Sequence, residues 1–428
     1  MKVPVVIVGA GACGLVAALA ARDAGAEVVV LERDSTPSGS TALSSGFIPA
    51  AGTRYQRAAG IDDSPERFAA DIQRKNHGEA DARLVDTVAR TIGPTLEWLD
   101  DAHGLRFDVL QGFTYPGHSA LRMHALPEKT GEALMAALLR ACANVDILTS
   151  ARVTGVDAAR VQFERPDGSK DEVEYAALVL ACSGFGGNKE MVARYLPDIA
   201  PALYFGHAGN QGDAVRWGAA LGARAADMTA YQGHGSVATP HGILITWALM
   251  TEGGIQVNAE GERFSNEHLG YSEQCLPVIR QPGGVAWCIY DERLHRLGMT
   301  FPDYRDAHAA GAIRPSPRLP KLEQTLAQVV RFAAGIENDP FGRDFTTKPR
   351  LVPPYYGVKV TGALFHTQGG LVVDETARVL PLPNVFAGGG AARGLSGAHV
   401  WGYLSGNGLL SAVGLGRIAG LQAASTIR

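Results

Sequence analysis

The sequence predicts an α/β fold in which one parallel-sheet domain is assembled from both ends of the chain and carries an inserted α+β capping domain. Three observations predict it. A glycine-rich turn, Gly9-Ala10-Gly11-Ala12-Cys13-Gly14, joins an apolar strand to a helix near the N-terminus. The segment "ALVLACSGFGGN" at 177–188 is again a buried strand running into glycines, and "NVFAGGGAARGLSGAHVWGYLSGNGLLSAVGLGRIAG" at 384–420 repeats the pattern at the other end. Glycine-rich strand ends this far apart converge on one ligand only if both ends of the chain build one sheet.

Taken in order, the apolar beginning resolves into a strand at Val5–Val8, a helix over Leu15–Asp23 and a second strand at Glu27–Leu31 that ends on Glu32. This is the G-x-G-x-x-G of a Rossmann-like unit, with an acid 18 positions beyond the last glycine. Gly9 allows the tight turn, Gly11 lets the backbone approach a pyrophosphate at the helix N-terminus, Gly14 permits close helix packing, and Glu32 accepts from a ribose hydroxyl. The whole stretch Val3–Ala20 is apolar, but Pro4 and the glycines argue for a buried parallel strand rather than a membrane span.

Next comes "TALSSGFIPAAGT" at 41–53, a loop of small and hydroxyl residues without charge, which lets the backbone come close to something flat and polar. Residues 64–107 have apolar side chains at helical spacing and read as inserted helices. Composition narrows the function. With 428 residues, two to three domain-sized units are expected. With 39 basic and 43 acidic residues the net charge is -4, which gives no electrostatic case for nucleic acid or an anionic membrane. Cys13, Cys142, Cys182, Cys275 and Cys288 are scattered without a C-x-x-C, so a reducing compartment, the cytoplasm, is expected. No metal-ligand pattern stands out.

Seven segments, "VVIVGAGACGLVAALAARDAGAEVVVLERD", "STALSSGFIPAAGT", "LVLACSGFGGNKEMVARY", "HAGNQGDAVRWGAALGA", "IQVNAEGERFSNE", "FHTQGGLVVD" and the C-terminal run, resemble in this order the FAD-dependent fumarate reductase and succinate dehydrogenase flavoprotein family. The departures described below bring the chain nearer to its 3-ketosteroid dehydrogenase-like desaturases. The resemblance implies an FAD-binding domain at 1–230 and 350–428 and a capping domain at 231–349. It implies that Thr41, Ser44, Ser45 and Gly46 border the isoalloxazine ring, and that Arg33, Val153, Ser183, Gly184, Gly212, Asp213, Gly389, Gly406, Asn407 and Leu409 complete the cofactor site. Ser40 stands at about the place of the histidine that carries covalent flavin in membrane-bound members, so the FAD is expected to be non-covalent.

The resemblance also suggests the chemistry. His234 in "YQGHGS" and His366 in "FHTQGG" match the histidines that hold substrate carboxylates in fumarate-reducing members. The place of the proton-donating arginine is taken by Tyr271, and that of a second carboxylate-binding arginine by Tyr403, while Arg263 reads as structural. Losing both arginines removes the bidentate clamp that recognises carboxylates, which argues against a C4-dicarboxylate and resembles the ketosteroid branch. Gly402 and His399 are expected at the substrate, with His118 and Arg122 as weaker candidates. The alternative for each histidine and tyrosine is a packing role.

The implied activity is an FAD-dependent oxidation of a CH–CH bond, the α,β-desaturation of a cyclic ketone or keto acid with Tyr271 as base. Flavin N5 takes the hydride while donors stabilise the enolate oxygen. A tyrosine base needs a buried, positively biased site to work near neutrality. The alternatives are an ene or fumarate-type reductase and a non-catalytic flavin-binding protein. Partners would be a small carbonyl or carboxylate substrate and an external electron acceptor: quinone, oxygen or an electron-transfer protein.

Overall fold

The computed structural model describes residues 2–315 and 317–427. Its first sheet has a parallel core in the order Asp146–Leu148, Val28–Leu31, Lys2–Val8, Lys170–Leu180, Val385–Ala387. Both ends of the chain therefore contribute to one sheet. Val5, Val6, Ile7 and Ala177 to Leu180 have no exposed surface, as expected for parallel strands covered on both faces. The first half of Lys170–Leu180 turns antiparallel to Arg160–Glu164, which pairs in turn with Arg152–Val156.

The helix Ala12–Asp23 begins three residues before the expected Leu15, because Gly11 is its N-cap. It crosses the C-terminal helix Asn407–Thr426 at very close range. A Cβ on Gly416 would stand 2.6 Å from the Cys13 carbonyl oxygen, and one on Gly420 2.2 Å from that of Ala17. Both pairs are spaced by four residues, so small side chains line one face of each helix where they meet. The inserted helices form as their spacing predicts. Pro65–Lys75 starts on Ser64, whose hydroxyl accepts from Arg67 N–H, and Ala82–His103 starts on Asp81 and ends at left-handed Gly104.

A second, mainly antiparallel sheet runs Ile243–Leu244, Tyr231–Ala238, Tyr355–Thr367, Val285–Asp291, Ile255–Val257. Its long central strand, Tyr355–Thr367, begins after residue 350, where the sequence suggested a return to the first domain. All of its partners lie in this second sheet. The helix Tyr271–Ile279 rests directly on the sheet because glycines leave room. A Cβ on Gly233 would be 2.8 Å from the Ser272 oxygen, and one on Gly362 2.6 Å from that of Cys275. Among the described residues no helix is long and apolar enough to cross a membrane.

Candidate active site and cofactor cavity

A cavity of about 280 Å³ runs between the two sheets, from the glycine-rich turn to the start of the helix Tyr271–Ile279. At the first-sheet end the three motif glycines separate by role. Gly9 has φ of 102°, and a Cβ there would be 2.6 Å from the Ala181 oxygen; one on Gly14 would be 1.8 Å from that of Gly9. Both are needed by the chain itself. Gly11 is different: a Cβ there would meet only Thr41 Oγ1, at 3.5 Å, and the residue faces the cavity. Its lack of a side chain is explained by a ligand that comes close to the backbone, which is what a dinucleotide pyrophosphate does. Glu32 closes this end, buried, with its carboxylate accepting from Ala10 N–H at 2.8 Å and Asp34 N–H at 2.9 Å. These residues fit a dinucleotide cofactor.

The small-residue loop lies where the cavity continues. Thr41 Oγ1 accepts from Ala12 N–H at the helix N-terminus, and Ser44 Oγ donates to the Thr41 carbonyl oxygen. Ser40 Oγ accepts from Asn210 Nδ2 at 2.8 Å, and Arg33 Nη1 donates to the Gly209 carbonyl oxygen, so the 207–210 loop is tied across this stretch. Ser45, Val153, Ser183, Asp213, Gly389, Gly406 and Leu409 also line the cavity. Gly14, Gly46, Gly184, Gly212 and Asn407 do not line it but stand behind its wall. A Cβ on Gly46 would be 2.6 Å from the Thr130 oxygen, and one on Gly184 2.1 Å from Thr367 Oγ1.

The second-sheet end gathers Tyr271, Tyr403, His234 and His366. The register of Tyr231–Ala238 against Tyr355–Thr367 shifts on both sides of Gly233-His234, the kind of irregularity that re-aims a strand side chain. The His234 ring stacks on Tyr271 at 4.7 Å between centroids, and Tyr403 meets Tyr271 at 6.0 Å and His366 at 5.7 Å, both edge-on. His234 Nδ1 is buried without a hydrogen-bond partner among the described residues. His366 is held by a chain of three bonds. Asn407 Nδ2 donates to Ser396 Oγ, Ser396 donates to Gln368 Oε1, and Gln368 Nε2 donates to His366 Nδ1 at 3.1 Å. Nδ1 is also 3.4 Å from the Thr367 carbonyl oxygen, but accepting the shorter Gln368 bond assigns the ring proton to Nε2, beside Gly408 and the cavity.

Electrically this end is neutral. Burial pushes His234 down to about 3 and His366 down to about 4, so both are uncharged at pH 7. Burial also raises Tyr403 to about 12 and holds Tyr271 well above the usual tyrosine value. Among the described residues between 231 and 427, no lysine or arginine lines the cavity. The positively biased surroundings that a tyrosine base needs near neutrality are therefore absent from these segments.

Several other expected residues take supporting positions. Gly402 is buried off the cavity, where a Cβ would be 1.9 Å from the Ser396 oxygen, and His399 lies outside it, half-exposed and stacked on Trp401. Arg263 pairs with Glu267 and Asp339 inside the second-sheet unit, and Arg122 is buried between Asp63 and Asp71. His118 Nε2 bonds the Ser405 carbonyl oxygen and so supports the loop after Tyr403. Tyr115, Gln232, Gln368 and Ser405 line the cavity and were not singled out in the sequence. Gln232 and Ser405 stand two positions from His234 and Tyr403, a spacing that offered a signal; Tyr115 offered none.

A model of the FAD binding domain family matches residues 4–409. The chain is 28% identical to a probable fumarate reductase, Ifc3, of Shewanella frigidimarina, over 98% of this chain and 74% of that protein. Among solved structures it resembles a flavocytochrome c3 fumarate reductase in its open conformation, with a TM-score of 0.83 and 27% identity over 100% of this chain and 78% of that one. It also resembles the 3-ketosteroid Δ4-(5α)-dehydrogenase of Rhodococcus jostii bound to 4-androstene-3,17-dione, with a TM-score of 0.77 and 25% identity over 99% of this chain and 97% of that one. The chain belongs to the FAD binding domain family and is an FAD-dependent oxidoreductase.

Proposed function

We propose that this chain desaturates a cyclic ketone between the carbons α and β to its carbonyl, with Tyr271 taking the α-proton. The observation that carries the reading is the neutral cluster of Tyr271, Tyr403, His234 and His366, set without a cation in the part of the cavity built by residues 231–428. A substrate dianion placed against these segments would lose water without gaining a counter-charge from them, whereas a carbonyl oxygen needs only neutral donors. When bound, FAD accepts the hydrogen and electron pair that leave the β-carbon.

The chain's own groups supply the rest. His366 presents Nε2–H and Tyr403 its hydroxyl, which now donates to Gln232 Oε1 at 3.3 Å. Donors of this kind stabilise an oxygen that gains charge as the α-proton departs. Tyr403 packs edge-on against the Tyr271 ring, 6.0 Å between centroids, and so positions it. Since burial keeps Tyr271 protonated at pH 7, its phenolate is scarce and proton abstraction quickens as pH rises. The retained proton also favours a second reading, in which Tyr271 donates to the α-carbon during reduction of an enone.

One experiment separates the two. FAD-loaded protein is mixed anaerobically with saturated cyclic ketones, and chemically reduced protein with the matching enones. Desaturation shows as flavin bleaching that quickens with pH; enone reduction shows as reoxidation that slows with pH. Tyr271→Phe should keep its colour and lose about 100-fold or more in the productive direction. A phenylalanine variant with the normal rate removes Tyr271 from the mechanism.

A further inference from the structure

The same cavity carries a charge that the reaction does not use. Of the lining residues between 231 and 428, Asp303 alone is formally charged. It occupies the first turn of the helix Pro302–Ala309, where an acid is ordinarily favourable, yet its side chain forms no ion pair or hydrogen bond among the described residues. Half-buried, it faces the cavity beside Phe301 and Pro302. Aromatic rings join this place to the reaction centre. Tyr115 stands 6.0 Å from Tyr271, Phe113 5.2 Å from Tyr115, and Phe301 5.4 Å from Phe113, all between ring centroids. Tyr115 and Phe301 line the cavity and Phe113 packs behind them, so an aromatic run links the start of the Asp303 helix to Tyr271. Burial, with the acidic Asp306 and Glu132 adding to it, holds its carboxyl above the usual aspartate value. Lys129 and Arg152 line the cavity from the first-sheet unit, and neither pairs with Asp303. At the other end, His234 Nδ1, buried and without a partner, marks the cavity as one completed by a ligand.

We propose that Asp303 selects the substrate by its remote end: a ketone whose ring system carries a hydrogen-bond donor, hydroxyl or ammonium, away from the carbonyl, and not a carboxylate. This rests on the desaturation reading only for the position of the carbonyl at Tyr271. An unpaired carboxylate in a half-buried wall attracts a donor and repels an anion, so the selection works in both directions.

The test uses FAD-loaded protein and two matched sets of ketones, the 4-amino, 4-hydroxy, 4-methyl and 4-carboxy cyclohexanones and the corresponding decalones. Dissociation constants are read from the change in flavin absorbance, and bleaching is followed separately. The amino or hydroxy compound should bind at least about tenfold more tightly than the carboxylate, the step that one favourable charge contact commonly makes. Asp303→Asn should collapse that ratio to about twofold or less, and Asp303→Lys should invert it. If the variants do not accumulate, raising the ionic strength on the wild type should shrink the ammonium-to-carboxylate ratio by itself. A carboxylate that binds tightest to the wild type, or a ratio that neither variants nor salt move, overturns the assignment of Asp303. The expected ranking without bleaching by any ketone overturns desaturation alone, and bleaching without the ranking overturns Asp303 alone.

Discussion

Charging a buried histidine should cost this fold measurably, and the cost can be worked from two of them. His124 has no exposed surface and His234 is 4% exposed. Burial lowers His124 from 6.5 to about 4 and His234 from 6.5 to about 3. A depressed folded value means that, below pH 6.5, the unfolded chain takes up protons that the native chain refuses. The associated stability is present above pH 6.5 and is lost as pH falls toward the folded values. Between pH 6.5 and 5 each histidine should forfeit about 2 kcal/mol, equivalent to about 2–3 °C of Tm in a chain of this length. Glu273 acts in the opposite sense over the same window, so the wild-type curve alone decides nothing. The informative quantity is the gap between wild type and His124→Asn, and between wild type and His234→Asn, followed by thermal melts of FAD-loaded protein from pH 7 to pH 5. Each variant should start less stable and close the gap by about 2 kcal/mol at pH 5. A gap that stays constant would mean that the native protein accepts the proton, and His234 would then not be the neutral group on which the proposed chemistry depends.

The remaining expectations concern cofactor, packing and a second titration. Gly11→Leu should leave the circular dichroism unchanged and lose the flavin colour, because its side chain would enter the cavity rather than the core. Gly420→Leu should do the reverse of a local change, lowering Tm and FAD retention together, since even a Cβ would be 2.2 Å from the Ala17 oxygen. Acid precipitation should release the FAD into the supernatant, as Ser40 is occupied by Asn210 and offers no attachment; colour retained in the pellet would refute this. Glu273, raised from 4.5 to about 7 by burial despite Lys75, contributes stability below pH 4.5 that is lost as pH rises to about 7. Glu273→Gln should therefore gain on the wild type by on the order of 3 kcal/mol between those values, read as a difference in Tm.

What the sequence revealed and what it hid follow the same physical division. The parallel sheet was legible because its signals are local: Lys2–Val8, the second half of Lys170–Leu180 and Val385–Ala387 are apolar runs that lead into glycines, and Val28–Leu31 is an apolar run that ends on Glu32. The strand Tyr355–Thr367 was harder, because its partners, Val285–Asp291 and Tyr231–Ala238, are set by register across the chain rather than by its own composition. The site divides likewise. Tyr271, Tyr403, His234 and His366 each sit in a recognisable segment, and the fold brings all four to one cavity end. His399 was expected at the substrate, but the short turn Val400–Gly402 between it and Tyr403 leaves it outside, against Trp401.

The charge balance of the cavity is the feature least visible in one dimension. A missing arginine can be read from a motif, but whether another cation has replaced it depends on every segment that reaches the same space. Here the arginines near enough in sequence are spent elsewhere: Arg263 on Glu267 and Asp339, Arg122 on Asp63 and Asp71. Both lie in networks with almost no solvent access, and recruiting either for a substrate would break two ion pairs to buried carboxylates, a loss of several kcal/mol. The described residues of 231–427 are therefore kept from supplying a cation to the cavity, and the cations that line it, Arg33, Lys129 and Arg152, come from the first-sheet unit. Restoring an arginine at position 271 alone would put a cation into a wall of neutral rings with no carboxylate from residues 231–428 but Asp303, at the far end of the aromatic path. Tyr271→Arg should accordingly lose ketone binding without gaining fumarate reduction. Measurable reduction of fumarate by that variant would show that one side chain, and not the neutral surroundings, sets the substrate class.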